Sequence, residues 1–255
     1  MQANEIVPAA TTEASRKPQQ IASWAWLVGF LLIGAGVVVM GFLAQHAPSA
    51  NQGAAGQLAS HNQAIPIYLG VIFMDWALLY YCWAGVHRFG GNLITLSCGR
   101  WASWKDVLAD VAIALPFWAL WEAAAYGVHW LLDPRLLGSG NAKSVASLLP
   151  QSLLEILIWI GASITAGICE EMAFRGFLQR QFHALTGNIP LAVLLQGLVF
   201  GLFHSYQGWV NVTVISVLGV LFGILAAWRG NLRANIIAHA WSDVWGGWLQ
   251  MLVFR

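Results

Sequence analysis

Charge is scarce in this sequence. Asp, Glu, Lys and Arg make up 9% of its 255 residues, whereas a soluble domain carries about a quarter. Water is therefore not the solvent for most of the chain. The formal net charge is only +1 and no basic run occurs, which argues against a nucleic-acid partner, because binding one takes several Lys or Arg contacts to phosphates. Cysteine is also sparse. Cys82, Cys98 and Cys169 are odd in number and lack paired spacing, so neither a disulfide framework nor a cysteine metal site is indicated, and all three read as small packing residues. No repeat of 20 to 50 residues is visible, which leaves an inverted-repeat transporter without positive support. No His-Glu-x-x-His run is present either, so the usual zinc-protease helix is absent.

What the chain has instead is apolar length. Hydrophobic residues make up 58%, and several stretches approach the roughly 20 residues that cross a hydrocarbon core. The expectation is an all-α, polytopic transmembrane helical bundle of about seven spans, integral to a lipid bilayer. Residues 1–20 are polar and carry Pro8 and Pro18, so they predict a disordered tail, and residues 21–255 form the membrane domain. The first span, 21–44, is too long for the apolar region of a signal peptide and predicts an uncleaved helix. A Gly-, Ala-, Ser- and Gln-rich loop follows over 45–63. Further spans are predicted at 64–86, 107–132 (with Pro116 inside), 148–181, 191–206, 210–228 and 232–254. Trp24, Trp26, Trp101, Trp104, Trp228 and Trp248 fall near segment ends, where indole rings favour the headgroup boundary.

Charge placement orients the bundle. With the tail inside, Arg16, Lys17, Arg88, Arg100, Lys105, Arg175, Arg180, Arg229 and Arg233 fall on the inner side, against Arg135, Lys143 and Arg255 outside. By the positive-inside rule the N-terminus is expected on the cytoplasmic side.

An ionisable residue within a bilayer costs about 2.5–3.5 kcal/mol on insertion scales, so each one asks for a reason. The densest group is Gly167-Ile168-Cys169-Glu170-Glu171-Met172-Ala173-Phe174-Arg175. On a helix Glu171 and Arg175 are four apart, share a face and can pair, while Glu170 points about 100° away. One acid is then structural and the other free to react; the plainer alternative is a salt bridge at a helix end. A second group is Phe200-Gly201-Leu202-Phe203-His204, whose histidine taken alone reads as a packing residue. The third is Asn235, His239 and Asp243, four apart along one helix face, a polar stripe that serves either a cavity or an interhelical hydrogen-bond seam. Asp75, Asp110, Glu122 and Glu155 are isolated acids and read as interhelical or boundary residues. Ser163 lacks the following glycine of a serine intramembrane protease.

Taken in order, Glu-Glu-x-x-x-Arg, Phe-x-x-x-His and His-x-x-x-Asp resemble the motifs of the CAAX protease and bacteriocin-processing (CPBP, Abi) family of intramembrane endopeptidases. The resemblance covers about residues 148–250. It implies a peptide hydrolase in which Glu170, with His204, polarises a water, and His239 with Asp243 stabilises the oxyanion. Glu171, Arg175, Phe200 and Asn235 would support them. The family's last motif can carry Asn where this chain has Asp243, so that carboxyl must be protonated, orient His239, or ligate a metal. The family has also been labelled metalloprotease; no cofactor is favoured here, and zinc, if used, would fall to Glu170, His204 and His239. The implied partner is a peptide or protein substrate, membrane-anchored ones included. The alternatives are a non-catalytic immunity or scaffold protein of the same family, and an ion or proton transporter using Glu170, Asp75 and Glu122 as a relay.

Overall fold

The computed structural model describes residues 19–46, 64–132, 149–150 and 152–253, and among these it is helical with no strand. The expected tail and the first loop fall largely outside the described residues, as do Arg16, Lys17, Arg135, Lys143 and Arg255. The helices are α1 (Trp24–His46), α2 (Ala64–Arg88), α3 (Leu93–Ser97), α4 (Trp104–Leu132), α5 (Leu153–Thr186), α6 (Ile189–Phe203), α7 (Trp209–Arg229) and α8 (Arg233–Val253). A 3₁₀ turn, Ser205–Gln207, joins α6 to α7. A helix therefore stands at each predicted span. Five of them, α1, α2, α4, α5 and α7, are long and apolar enough to cross a membrane. α6 is a shorter apolar helix of 15 residues, and α8 is interrupted by the polar stripe.

Local chemistry sets the boundaries. Ser152 caps α5 in a capping box: its hydroxyl accepts from the Glu155 N–H at 3.2 Å, and the Glu155 carboxylate accepts from the Ser152 N–H at 3.1 Å, which satisfies backbone donors that would otherwise be orphaned. Glu155 is thus a cap rather than a site residue. α5 ends at Gly187, whose φ of 66° is left-handed, a conformation glycine adopts without a Cβ penalty. Asn188 then caps α6 through its side chain, with Pro190 in the first turn.

Lipid-facing surface is greasy throughout. Leu32, Phe73, Leu131 and Leu153 are each about two-thirds exposed or more, an arrangement that is a liability in water and the natural one in hydrocarbon. Trp101, Trp104 and Trp228 are exposed near helix ends. Trp26 instead packs against Tyr81.

The inner basic segments converge at one end. Arg180 donates to the Leu96 carbonyl, Arg233 to the Arg100 carbonyl, and the Leu232 N–H to the Ser97 carbonyl. Asp110, fully buried, accepts from Arg229 at 2.7 Å and from the Trp101 indole at 2.8 Å, and forms an ion pair with Arg233 at 2.8 Å. Arg175 departs from the expected inner set: it is 2% exposed and lies inside the bundle, because its guanidinium is required by a buried acid rather than by headgroups.

Two close approaches fix the packing around the site. A Cβ on Gly219 of α7 would lie 2.7 Å from Cα of Gly197 on α6, so these helices cross backbone to backbone. A Cβ on Gly167 of α5 would lie 2.8 Å from the backbone nitrogen of Ala240 on α8. Glycine at 167 is what lets α8 come close enough for its polar stripe to meet the acids of α5.

Candidate active site

The paired acids sit where α5 changes its winding. Leu153–Glu170 is α-helical, Glu171–Leu178 is a π-helix, and Gln179–Thr186 is α-helical again. π segments are rare and concentrate at functional sites. All eight residues of this one are buried.

Glu171 is the hub. Its Oε1 accepts from Arg175 Nη1 at 2.8 Å and lies 2.8 Å from His239 Nδ1, while Oε2 accepts from Asn235 Nδ2 at 3.0 Å. Glu171 has no exposed surface, so a carboxylate there survives only because it is paired and fully hydrogen-bonded. Arg175 also donates to the Gly219 carbonyl at 3.2 Å, and its guanidinium lies over the rings of Phe200 at 4.4 Å and Phe222 at 5.3 Å. Asn235 donates in addition to the Phe222 carbonyl at 2.8 Å. The orienting contact on His239 thus comes from Glu171 rather than from Asp243.

That contact fixes what the imidazole can do. A carboxylate only accepts, so Nδ1 of His239 carries a proton and Nε2 is the variable atom. Nε2 faces Glu170 Oε2 at 3.7 Å and Asp243 Oδ2 at 3.8 Å. Both separations exceed a direct hydrogen bond and lie within ion-pair range. The Glu170 and Asp243 side chains are 15% and 37% exposed, respectively, so this side of the ring opens outward while the Nδ1 side is sealed.

His204 stands on the other flank of Phe200. The Phe200 ring is edge-on to His204 at 4.9 Å and to His239 at 6.1 Å. Nδ1 of His204 lies 2.9 Å from the Phe200 carbonyl, so it donates there and leaves Nε2 as the acceptor. His204 forms neither a hydrogen bond nor an ion pair with Glu170. Its depth follows from α6, which at 15 residues rises about 22 Å, short of a roughly 30 Å hydrocarbon core.

Two residues outside the three spaced motifs also come near this cluster. Asp75 on α2, expected to be an isolated interhelical acid, lies within electrostatic reach of Glu170, His239 and Asp243. Tyr206, on the 3₁₀ turn, senses Glu170, Asp243 and Asp75, and stacks near His204 with centroids 6.1 Å apart. Its hydroxyl accepts from Gln207 Nε2 at 3.0 Å, leaving its own proton free. Neither residue belongs to a spaced motif, and only the packing of α2 on α5 and the turn after His204 bring them in. Glu122, held by the Trp118 indole at 3.1 Å, interacts with Asp243. Ser163 is bonded to the Trp159 carbonyl in its own helix.

The donor set does not fit a metal as it stands. Among the described residues no three His, Cys, Asp or Glu side chains converge as ligands, and Glu170, His204 and His239 are not gathered around one point.

The fold and the site define a multi-pass helical membrane protein with acids and imidazoles buried in its C-terminal half. Residues 152–245 match the family model described as type II CAAX prenyl endopeptidase Rce1-like, a segment that contains Glu170, Glu171, Arg175, Phe200, His204, Asn235, His239 and Asp243. The match covers less than half of the chain and likens this segment to that family. The chain is also 26% identical over 178 residues to photosystem I P700 chlorophyll a apoprotein A1 of Chara vulgaris, covering 69% of this chain and 22% of that protein. The chain thus spans about a fifth of that relative's length. No solved structure matches.

Proposed function

We propose that this protein is an intramembrane endopeptidase that hydrolyses a peptide bond with a water activated by Glu170. The observation that carries the proposal is the presentation of His239: Glu171 holds Nδ1 at 2.8 Å, and Nε2 is turned toward Glu170 at 3.7 Å and Asp243 at 3.8 Å. Glu170 takes a proton from water as the oxygen attacks the scissile carbonyl, with His204 Nε2 as the second acceptor on that water. The proton held by Glu170 then passes to the leaving amine as the C–N bond breaks. Protonated at Nε2, His239 donates to the developing oxyanion, and Asp243 serves that task only in its protonated form. Arg175, Asn235 and Phe200 fix Glu171 and the two imidazoles. The reaction uses no metal, and the core of the activity lies in about residues 148–250 of a membrane domain spanning 21–255, with about seven crossings and the N-terminus on the cytoplasmic side.

The substrate class is a membrane-anchored peptide, because the site opens within a bundle whose outer surface is made for lipid. The test is cleavage of a prenylated or acylated peptide library by purified protein, with and without chelator, and with Glu170→Gln as control. Glutamine is isosteric but is not a base, so a general-base role predicts a loss of about 10²- to 10⁴-fold. Retention of cleavage in that variant overturns the proposal.

A second reading has one observation behind it. Interacting carboxyls run from Glu122 through Asp243 and Glu170 to Asp75, which is the composition of a proton relay. Proton flux across liposomes that is lost in Glu170→Gln, in a protein that cleaves nothing, supports the transporter.

A further inference from the structure

At the basic end of the bundle a cavity of about 160 Å³ opens between the end of α5, the start of α6 and the last turn of α7. Its polar wall belongs to α5. Arg175, Gln179 and His183 recur every four residues down one face, with Arg180 beside them. No acid is among the described residues that line it. The other arginines of this region are neutralised, Arg175 by Glu171, and Arg229 and Arg233 by Asp110. Arg180 is not. Its guanidinium donates to the Leu96 carbonyl at 2.6 Å, but among the described residues no acid pairs with it, and the His183 imidazole has no hydrogen-bond partner.

The backbone around the cavity favours an anion as well. α6, a helix of 15 residues, starts at Ile189 on the wall, and the first turn of a helix carries unpaired N–H groups and the positive end of its dipole. The carbonyls that would repel an anion are already engaged. The Gly187 N–H covers the His183 carbonyl, the Gly230 N–H covers that of Ala226, and the Asn231 amide covers that of Arg229. Two wall residues are also short of partners: Arg175 and Gln179 are 2% and 8% exposed, and Nε of the first and Oε1 of the second bond to nothing.

The rest of the wall is greasy, with Ala192, Ala226, Ala227 and Leu232. Leu185 and Trp228, next in the chain to wall residues, are exposed. A small soluble anion has no use for such a surface, whereas a phosphate that carries acyl chains does.

We propose that this cavity binds phosphate, supplied by the headgroup of an anionic phospholipid. Arg180 and His183 donate to the phosphate oxygens, the start of α6 adds its field, and the acyl chains leave along Leu185, Ile189 and Trp228. The site lies apart from Glu170 and His239, and it stands whether or not the protein cleaves peptides.

Thermal unfolding of the full chain in detergent at neutral pH tests this, with three probes titrated separately: short-chain phosphatidylglycerol, short-chain phosphatidylcholine and inorganic phosphate. Phosphatidylglycerol should raise the midpoint in a saturable way, since a ligand of the folded state stabilises it. Phosphatidylcholine, whose trimethylammonium would meet Arg180, should not. Loss of a charge-assisted hydrogen bond predicts that Arg180→Gln and His183→Ala each need about tenfold more phosphatidylglycerol for half the shift. Arg180→Lys should recover part of the affinity, and Lys105→Gln, which removes a basic residue outside the cavity, should leave it unchanged. No shift with phosphatidylglycerol, equal shifts with both lipids, or a shift indifferent to Arg180→Gln and His183→Ala overturns the site. An equal shift with inorganic phosphate overturns the lipid source and supports the phosphate site. Because Arg180 also holds the Leu96 carbonyl, Arg180→Gln could fail to accumulate; His183→Ala and Arg180→Lys then decide the question.

Discussion

Oε1 of Glu171 is shared between Nη1 of Arg175 and Nδ1 of His239, each at 2.8 Å. One carboxylate oxygen therefore ties the π segment of α5 to the imidazole of α8. The two adjacent acids divide their labour accordingly: Glu171 is sealed and structural, and Glu170 is on the open side.

That division separates two conservative substitutions. Glu171→Gln removes the charge partner of a fully buried Arg175, and breaking a buried ion pair costs about 3–5 kcal/mol. Thermal unfolding in detergent should show a large loss for Glu171→Gln and Arg175→Ala. Glu170→Gln should unfold close to the parent temperature. Equal destabilisation at 170 and 171 would refute the division.

Gly167 tests the approach of α8. Valine there places methyls where the Ala240 backbone lies, a Cβ alone standing at 2.8 Å, so α8 must move outward and the 2.8 Å contact between Glu171 and His239 opens. Cleavage should fall by at least about 10²-fold, the loss expected when an oxyanion donor is misplaced. Circular dichroism should stay helical.

Asp110 gives the control outside the site. It binds Arg229, Arg233 and Trp101 at the basic end of the bundle. Asp110→Ala leaves two guanidinium groups without their acid and should lower stability by about 3 kcal/mol. Below the new unfolding temperature, Glu170-dependent cleavage should persist, since Asp110 touches none of the proposed reacting groups.

Asn235 is the subtle member. Its amide donates to both Glu171 and the Phe222 carbonyl, and Asn235→Asp would set a second acid against Glu171. The expected outcome is a loss of stability larger than that of Asn235→Ala, read from paired melting curves.

Much of this was legible in the sequence for a physical reason. A bilayer forces each crossing to be an unbroken apolar helix, so Trp24–His46 and Ala64–Arg88 announce themselves by length, and a polar stripe such as Asn235, His239, Asp243 stands out against grease. The Glu171–Arg175 pair is a local relation on one helix and was readable from spacing alone. The reach of Asp75 toward His239 and Asp243 was not, because it depends on the packing of α2 on α5, about a hundred residues away in the chain. Tyr206 escaped notice since it sits on a turn just beyond the spaced motif. The π winding of Glu171–Leu178 was hidden as well: periodicity describes ordinary helices, and nothing in Glu-Met-Ala-Phe-Arg-Gly-Phe-Leu marks the change of pitch.

That change of pitch has a consequence for how the protein tolerates mutation. A π stretch holds more residues per turn than the α-helix on either side, so removing a single residue between 171 and 178 would let it tighten to α winding and change how the remaining side chains of the stretch are disposed around the axis. The number of residues in this stretch, and not only their identity, is therefore part of the design. Insertions and deletions there should be as damaging as loss of the acids themselves.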